Sequence, residues 1–215
     1  MRWPTIVIDN FFNDFEAVKK LSEEVEYFSN ENGSWPGKRS KALHQINYPF
    51  FEMTCVKLLE ALYPMNALNI QFTAKMHFQK IPFEGTGIIH QDEDEISSII
   101  FISGNNAGGT SLYEPKTYPY DPDSYVSQKF DTYKNPSKLK LKNLEKTVNK
   151  HNEQFNLKTK FVFKPNTVLL FDSKEHHKAD NFGEERVTLV TFFQSLYTKN
   201  GIPLKTHVSE CKRQG

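Results

Sequence analysis

The strongest pattern along the chain is a strict alternation over residues 68–79. Leu68, Ile70, Phe72, Ala74, Met76 and Phe78 are apolar, while Asn69, Gln71, Thr73, Lys75, His77 and Gln79 between them are polar. Successive side chains of a strand point to opposite faces, so this spacing predicts a strand with one face on the core. Pro82 and the Gly85-Thr86-Gly87 turn break it, and a strand carrying His90 and Asp92 follows. Residues 96–102 form a strongly apolar strand, residues 104–109 a turn, and residues 110–114 another short strand. Strand patterns resume in residues 161–163, 167–171 and 186–197, and in the last of these Arg186, Thr188 and Val190 share a face.

Helical spacing dominates the first third. A short β-branched strand at residues 5–8 precedes a start box in which Asn13 caps and Glu16 reaches back. The helix is predicted to run to about Tyr27, with Phe15, Val18, Leu21 and Val25 as its core stripe. Residues 29–40, holding Gly33, Pro36 and Gly37, read as a loop whose Lys38 and Arg39 are solvated cations. Pro49 suits the first turn of a second helix that buries Cys55, Leu58, Leu59 and Leu62 and ends at Tyr63-Pro64. Between Pro115 and Lys160 the strand periodicity lapses into an insertion, with a Lys-rich helix over residues 139–155. One domain is expected: residues 1–66 N-terminal strand and helices, 67–197 a β core with the insertion at 115–160, and 198–215 a tail.

Composition narrows the setting. The 27 Lys and Arg nearly balance 26 Asp and Glu, and the net charge of +1 gives no argument for nucleic acid or an anionic membrane. The insertion's excess of lysine over acid is the one local exception. Eighteen Phe and nine Tyr against ten Gly and eleven Pro indicate a folded, aromatic-rich β protein. Two cysteines, Cys55 and Cys211, make neither a disulfide framework nor a zinc cluster. No signal-peptide pattern opens the sequence, and no apolar run approaches the ~20 residues of a membrane span. A cytoplasmic protein is the expectation, and the sequence is silent on oligomeric state.

The candidate chemistry lies in His90-Gln91-Asp92 and in the distant stretch from Phe171 to His177. A histidine and a carboxylate one residue apart on an extended chain reach the same side and can share a metal. A second histidine from a remote strand completes two imidazoles and one carboxylate, the facial set used by non-heme Fe(II) oxygenases, which leaves open positions on the ion. His177 and His176 are neighbours and point oppositely if the segment is extended, so one of them serves. A planar guanidinium at Arg186 is suited to hold a carboxylate by two parallel hydrogen bonds. His77 reads as a polar neighbour, and His44, His151 and His207 as surface residues.

In order along the chain come His90-x-Asp92, Gly108-Gly109-Thr110, a histidine four residues after Ser173, and Arg186 nine residues further. This series resembles the iron(II)/2-oxoglutarate-dependent dioxygenases, within them the prolyl-4-hydroxylase-like group, over about residues 78–193. The resemblance implies a mainly β fold with α, a double-stranded β-helix (jelly-roll, cupin-like) core with N-terminal helices packed outside. It implies Fe(II) bound by His90, Asp92 and His177, with His177 preferred over His176 by its offset from Ser173. It further implies 2-oxoglutarate as co-substrate, its distal carboxylate on Arg186 with Thr188 beside it, and Gln79 and Tyr113 as polar candidates near its other end. The reaction implied consumes dioxygen and hydroxylates or oxidatively demethylates a C–H bond of an unidentified substrate: a protein side chain, an amino acid or a small molecule. Retention of Asp92 argues against halogenation. A non-catalytic jelly-roll binding module and a nucleic-acid demethylase are the alternatives.

Overall fold

The computed structural model describes residues 3–29, 35–63, 69–82, 85, 87–104, 108–117, 137–182 and 185–198. Among these, the strands are β1 (Ile6–Ile8), β2 (Tyr27–Ser29), β3 (Lys38–Ser40), β4 (Gln71–Ile81), β5 (Ile96–Gly104), β6 (Gly109–Pro115), β7 (Phe155–Val162), β8 (Val168–Asp172), β9 (His176–Ala179) and β10 (Arg186–Tyr197). The helices are α1 (Phe15–Glu24), α2 (Leu43–Ile46), α3 (Tyr48–Leu62) and α4 (Lys138–Asn152). A large sheet runs β1-β8-β5-β10-β4-β3-β2 and a small one β7-β6-β9, with every registered pair antiparallel. Two such sheets face to face, with helices outside, make the expected jelly-roll core.

The alternation of β4 explains the layering. Met76 and Phe78 join Ile96, Ile100, Leu170, Leu189 and Phe193 on the outer face of the large sheet, against Cys55, Leu58, Leu59 and Leu62 of α3. Side chains of opposite parity face the small sheet, where Leu112 packs on Leu169 and Phe171. Register aligns Arg39, Gln79, Thr188 and Phe101 as one row across four strands of that inner face. Arg186 stands two residues before Thr188, on the same face.

Several expectations are revised. The cap of α1 is Asp14, whose side chain accepts from the Ala17 amide, and the helix stops at Glu24. β2 and β3 occupy part of the expected loop over residues 29–40. Gly37 adopts φ 76°, and a Cβ there would fall on the carbonyl oxygen of Lys80, so only glycine lets the chain enter β3 this close to β4. The Lys-rich helix ends at Asn152 and gives way to β7. His90 forms only an isolated bridge with His177, and Asp92 lies outside any strand. Cys211 and His207 lie outside the described residues, as do residues 118–136 of the insertion.

Candidate metal centre

His90, Asp92 and His177 place one donor atom each within 4.8 Å of one another. The bridge that assembles them is backbone. The His90 amide donates to the His177 carbonyl at 3.0 Å, the His177 amide to the His90 carbonyl at 2.8 Å, and the Asp92 amide to the Ser173 carbonyl at 2.9 Å. Each imidazole is then oriented by a carbonyl two residues upstream. Nδ1 of His90 donates to Ile88 O at 2.7 Å, and Nδ1 of His177 to Glu175 O at 2.9 Å. With Nδ1 engaged by a carbonyl, Nε2 is the nitrogen turned to Asp92: it carries a proton toward the carboxylate in the imidazolium form, and it offers a lone pair to a metal once that proton is lost. Both Nε2 atoms face Asp92, at 3.6 Å from Oδ1 for His90 and 3.4 Å from Oδ2 for His177.

Asp92 is fixed by the inner face of β5. Ser97 Oγ donates to Oδ2 at 2.7 Å and lies 2.8 Å from Ser173 Oγ. Burial pushes the Asp92 carboxyl up, but the charge and hydrogen bond of His177, the charge of His90 and the Ser97 hydroxyl outweigh it and hold the group well below the usual carboxylate range. His176, of opposite parity, turns away and packs its ring on Phe155 at 5.0 Å. The structure therefore gathers His177, not His176, with His90 and Asp92.

Arg186 is 4% exposed. Its Nη1 donates to Gly109 O at 2.8 Å and its Nη2 to Thr110 Oγ1 at 3.3 Å, while Nε is sealed from solvent with no hydrogen-bond partner. A Cβ at Gly109 would fall on the carbonyl oxygen of Phe161, so glycine is required where β6 meets β7 and presents its carbonyl to Arg186. Burial pulls the guanidinium down to about 10, only partly countered by the charge of Asp180. No carboxylate forms an ion pair with it among the described residues. A buried cation without a paired anion bears an uncompensated desolvation cost.

Thr188 is buried beside Arg186. Gln79 reaches the same inner face, but its Oε1 accepts from Arg39 Nε and Nη2 at 3.2 and 3.1 Å and its Nε2 donates to Pro36 O. Tyr113 is not brought to the site. Thr110 and Leu112 point inward, so Tyr113 takes the outer face of β6, where Lys178 Nζ lies 5.7 Å from its ring.

Two contributors escaped the sequence reading. Arg39 is a half-buried member of β3, with its guanidinium 4.2 Å from the Trp35 ring centroid and 5.3 Å from that of Phe192. Burial pulls it down to about 10 against the charges of Asp92 and Asp94. His151 is 3% exposed, not superficial, and its Nε2 bonds the Ile89 carbonyl at 2.9 Å. Asn152 accepts from the Ile89 amide and donates to Gly87 O. With Leu144 and Val148 packed on Ile88, α4 buttresses the segment that delivers His90.

A family model described as a family of unknown function (DUF6445) matches residues 2–187. The chain belongs to that family. No curated protein sequence matches this DUF6445 chain. Among solved structures it is similar to HygX from Streptomyces hygroscopicus with nickel, 2-oxoglutarate and hygromycin B bound, at 10% identity, TM-score 0.59, covering 92% of this chain and 85% of that one. It is also similar to a 2OG-Fe(II) oxygenase family oxidoreductase from Burkholderia pseudomallei, at 11% identity and TM-score 0.53, covering 88% and 85%. A third is EvdO2 from Micromonospora carbonacea var. aurantiaca complexed with 2-oxoglutarate, at 8% identity and TM-score 0.51, covering 95% and 93%. At such identities the likeness establishes the fold of this DUF6445 chain, the double-stranded β-helix of these oxygenases.

Proposed function

We propose that the protein is an Fe(II)- and 2-oxoglutarate-dependent oxygenase that hydroxylates, or oxidatively demethylates, a C–H position of its substrate. The observation that carries this reading is the pairing of two features in the interior between the two sheets. One is a two-histidine, one-carboxylate group with both Nε2 atoms turned inward; the other is a buried guanidinium lacking an anion. A pure binding jelly roll has no use for that combination. The donor set suits a divalent ion of intermediate softness such as Fe(II), with positions left for other ligands. The folds of HygX and EvdO2, solved with 2-oxoglutarate, support the same choice of co-substrate.

When bound, iron and 2-oxoglutarate supply the oxidising power: dioxygen is consumed, one oxygen atom goes to the substrate, and the other to succinate released with carbon dioxide. The chain supplies position. Carbonyl oxygens of Ile88 and Glu175 hold the two imidazoles in one tautomer, and Ser97 holds one oxygen of Asp92. Arg186 and Thr188 receive the distal carboxylate at the closed end, and the apolar wall of Leu112, Leu169 and Phe171 excludes water. The test is anaerobic Fe(II) and 2-oxoglutarate binding, followed by succinate release on admission of oxygen with a substrate panel. Absence of both metal and 2-oxoglutarate binding to folded protein rejects the reading.

A further inference from the structure

We infer that Arg39, stacked on Trp35 and steadied by Gln79, is the anchor for a carboxylate on the substrate, and therefore that the enzyme acts on a carboxylate-bearing molecule. The inference rests on the oxygenase reading above and names its substrate class. Arg39 enters the inner face from β3, in register with Gln79, and that placement is enforced by Gly37, where any side chain would meet the Lys80 carbonyl. Gln79 Oε1 takes both Nε and Nη2, so the guanidinium plane is fixed before any ligand arrives. Its Cζ lies over the Trp35 ring, 4.2 Å from the centroid, and 5.3 Å from that of Phe192. Such a fork is preorganised, and little side-chain entropy is left to lose on binding.

Charge decides what it holds. Arg39 makes no ion pair among the described residues, although Asp92 and Asp94 act on it through space. Asp92 is committed to the metal. With iron and 2-oxoglutarate in place, the two positive charges of the ion would be matched by Asp92 and by the near carboxylate of the co-substrate. Arg186 would match the far carboxylate, and Arg39 would be left with only Asp94, with which it forms no ion pair among the described residues. The rings of Trp35 and Phe192 give only a face contact to a cation, and Gln79 is neutral; neither replaces the hydration that a guanidinium gives up. Trp35 Nε1 is a second donor beside it, sealed and without a partner. Gln79 occupies the Nε and Nη2 edge, and a single negative charge on a planar two-oxygen group matches the remaining Nη1 and Nη2 edge. A phosphate, carrying about −1.5 to −2 at neutral pH, overfills it.

The experiment is NMR on protein labelled with 15N at arginine and tryptophan, loaded with diamagnetic Zn(II) and saturated with 2-oxoglutarate, then titrated with benzoate, benzamide or inorganic phosphate. Benzoate is expected to shift the Arg39 Nε–H signal saturably, with a dissociation constant of about 1–10 mM, the range of one charge-assisted contact. Benzamide is expected to leave it in place. The Trp35 indole signal, one of only two in this chain, should move with it and needs no Arg39 variant for its assignment. Arg39→Lys should weaken benzoate about tenfold or more and leave 2-oxoglutarate affinity within about twofold. The inference is overturned if benzoate moves neither signal, if phosphate alone moves them, or if Arg39→Lys loses 2-oxoglutarate instead. Failure to load metal and 2-oxoglutarate sinks the oxygenase reading, whereas the benzoate titration on that same unloaded protein still decides the role of Arg39.

Discussion

Replacing Arg186 by lysine keeps a positive charge at this buried position and removes the fork. The wild-type guanidinium spends Nη1 on Gly109 O and Nη2 on Thr110 Oγ1 and keeps Nε sealed, so it is already aligned for a planar anion. A lysine ammonium offers one prong to a carboxylate and must also satisfy those two acceptors. A hydrogen bond to a charged group contributes about 1.5–3 kcal/mol, so losing one prong should raise the 2-oxoglutarate dissociation constant roughly 10- to 150-fold. Anaerobic calorimetry on Fe(II)-loaded protein measures this directly, with iron affinity as the internal control. Thermal melts give a second reading. At a ligand concentration of about 100 times the wild-type constant, binding adds about 2.7 kcal/mol and raises the melting temperature of a chain this size by roughly 5–10 °C. Under the same conditions the lysine variant should gain about half of that or less. A 2-oxoglutarate affinity within twofold of wild type, with iron bound normally, would return Arg186 to the role of a structural cation.

Asp92→Ala removes the one anionic donor, and Fe(II)-dependent 2-oxoglutarate decarboxylation should fall by about 100-fold or more; near-normal turnover refutes the triad. Ser97→Ala strips the donor from Asp92 Oδ2 and should weaken Fe(II) binding by about 10- to 100-fold, read by competition with a chelating dye. His177→Ala should lose iron while His176→Ala keeps it and costs about 1–3 kcal/mol of stability in urea melts, since its ring packs on Phe155; the reverse pattern shifts the strand register by one. Burial, aided by the charge of Glu52, pushes the Cys55 thiol up from 9.0 to about 12. A folded-state value raised above the unfolded one leaves its stability contribution complete below pH 9.0 and erodes it as pH rises toward about 12. Native protein should therefore resist alkylation at Cys55 at pH 9 by peptide mass spectrometry, and rapid labelling in the folded state contradicts its burial.

The elements read well from the sequence were those whose pattern is local. The alternation around Met76 and Phe78 and the helical stripe of Cys55, Leu58 and Leu62 each fix a buried face without reference to distant chain. His90 and Asp92 were legible as a pair one residue apart, whereas His177 is preferred over His176 through the family resemblance and not from a local pattern. Arg39 was not legible: a strand of three residues has no period to read, and its burial comes from Trp35 just upstream and from Gln79 and Phe192 on other strands. His151 had a signal, since Leu144, Val148 and His151 recur at helical spacing on the side that meets residues 87–89. Tyr113 was misplaced by parity alone. Thr110 faces inward, and three residues along a strand always reverses the face.

The pairing of β1 with β8, Ile6 opposite Leu170, joins the first strand of the chain to one formed more than 150 residues later. Trp3 reinforces the same closure, its amide donating to Asp172 at 2.7 Å. β4 likewise waits for β10. During synthesis, then, β1 has no partner strand and β4 has only the short β3 until most of the sequence has been made, and the edges that await β8 and β10 remain unpaired meanwhile. Loop-closure entropy must be met before such contacts form, which puts folding in the slow, milliseconds-to-seconds regime of non-local β topologies. Expression at low temperature or with chaperones should accordingly raise soluble yield by shortening the exposure of those unpaired edges.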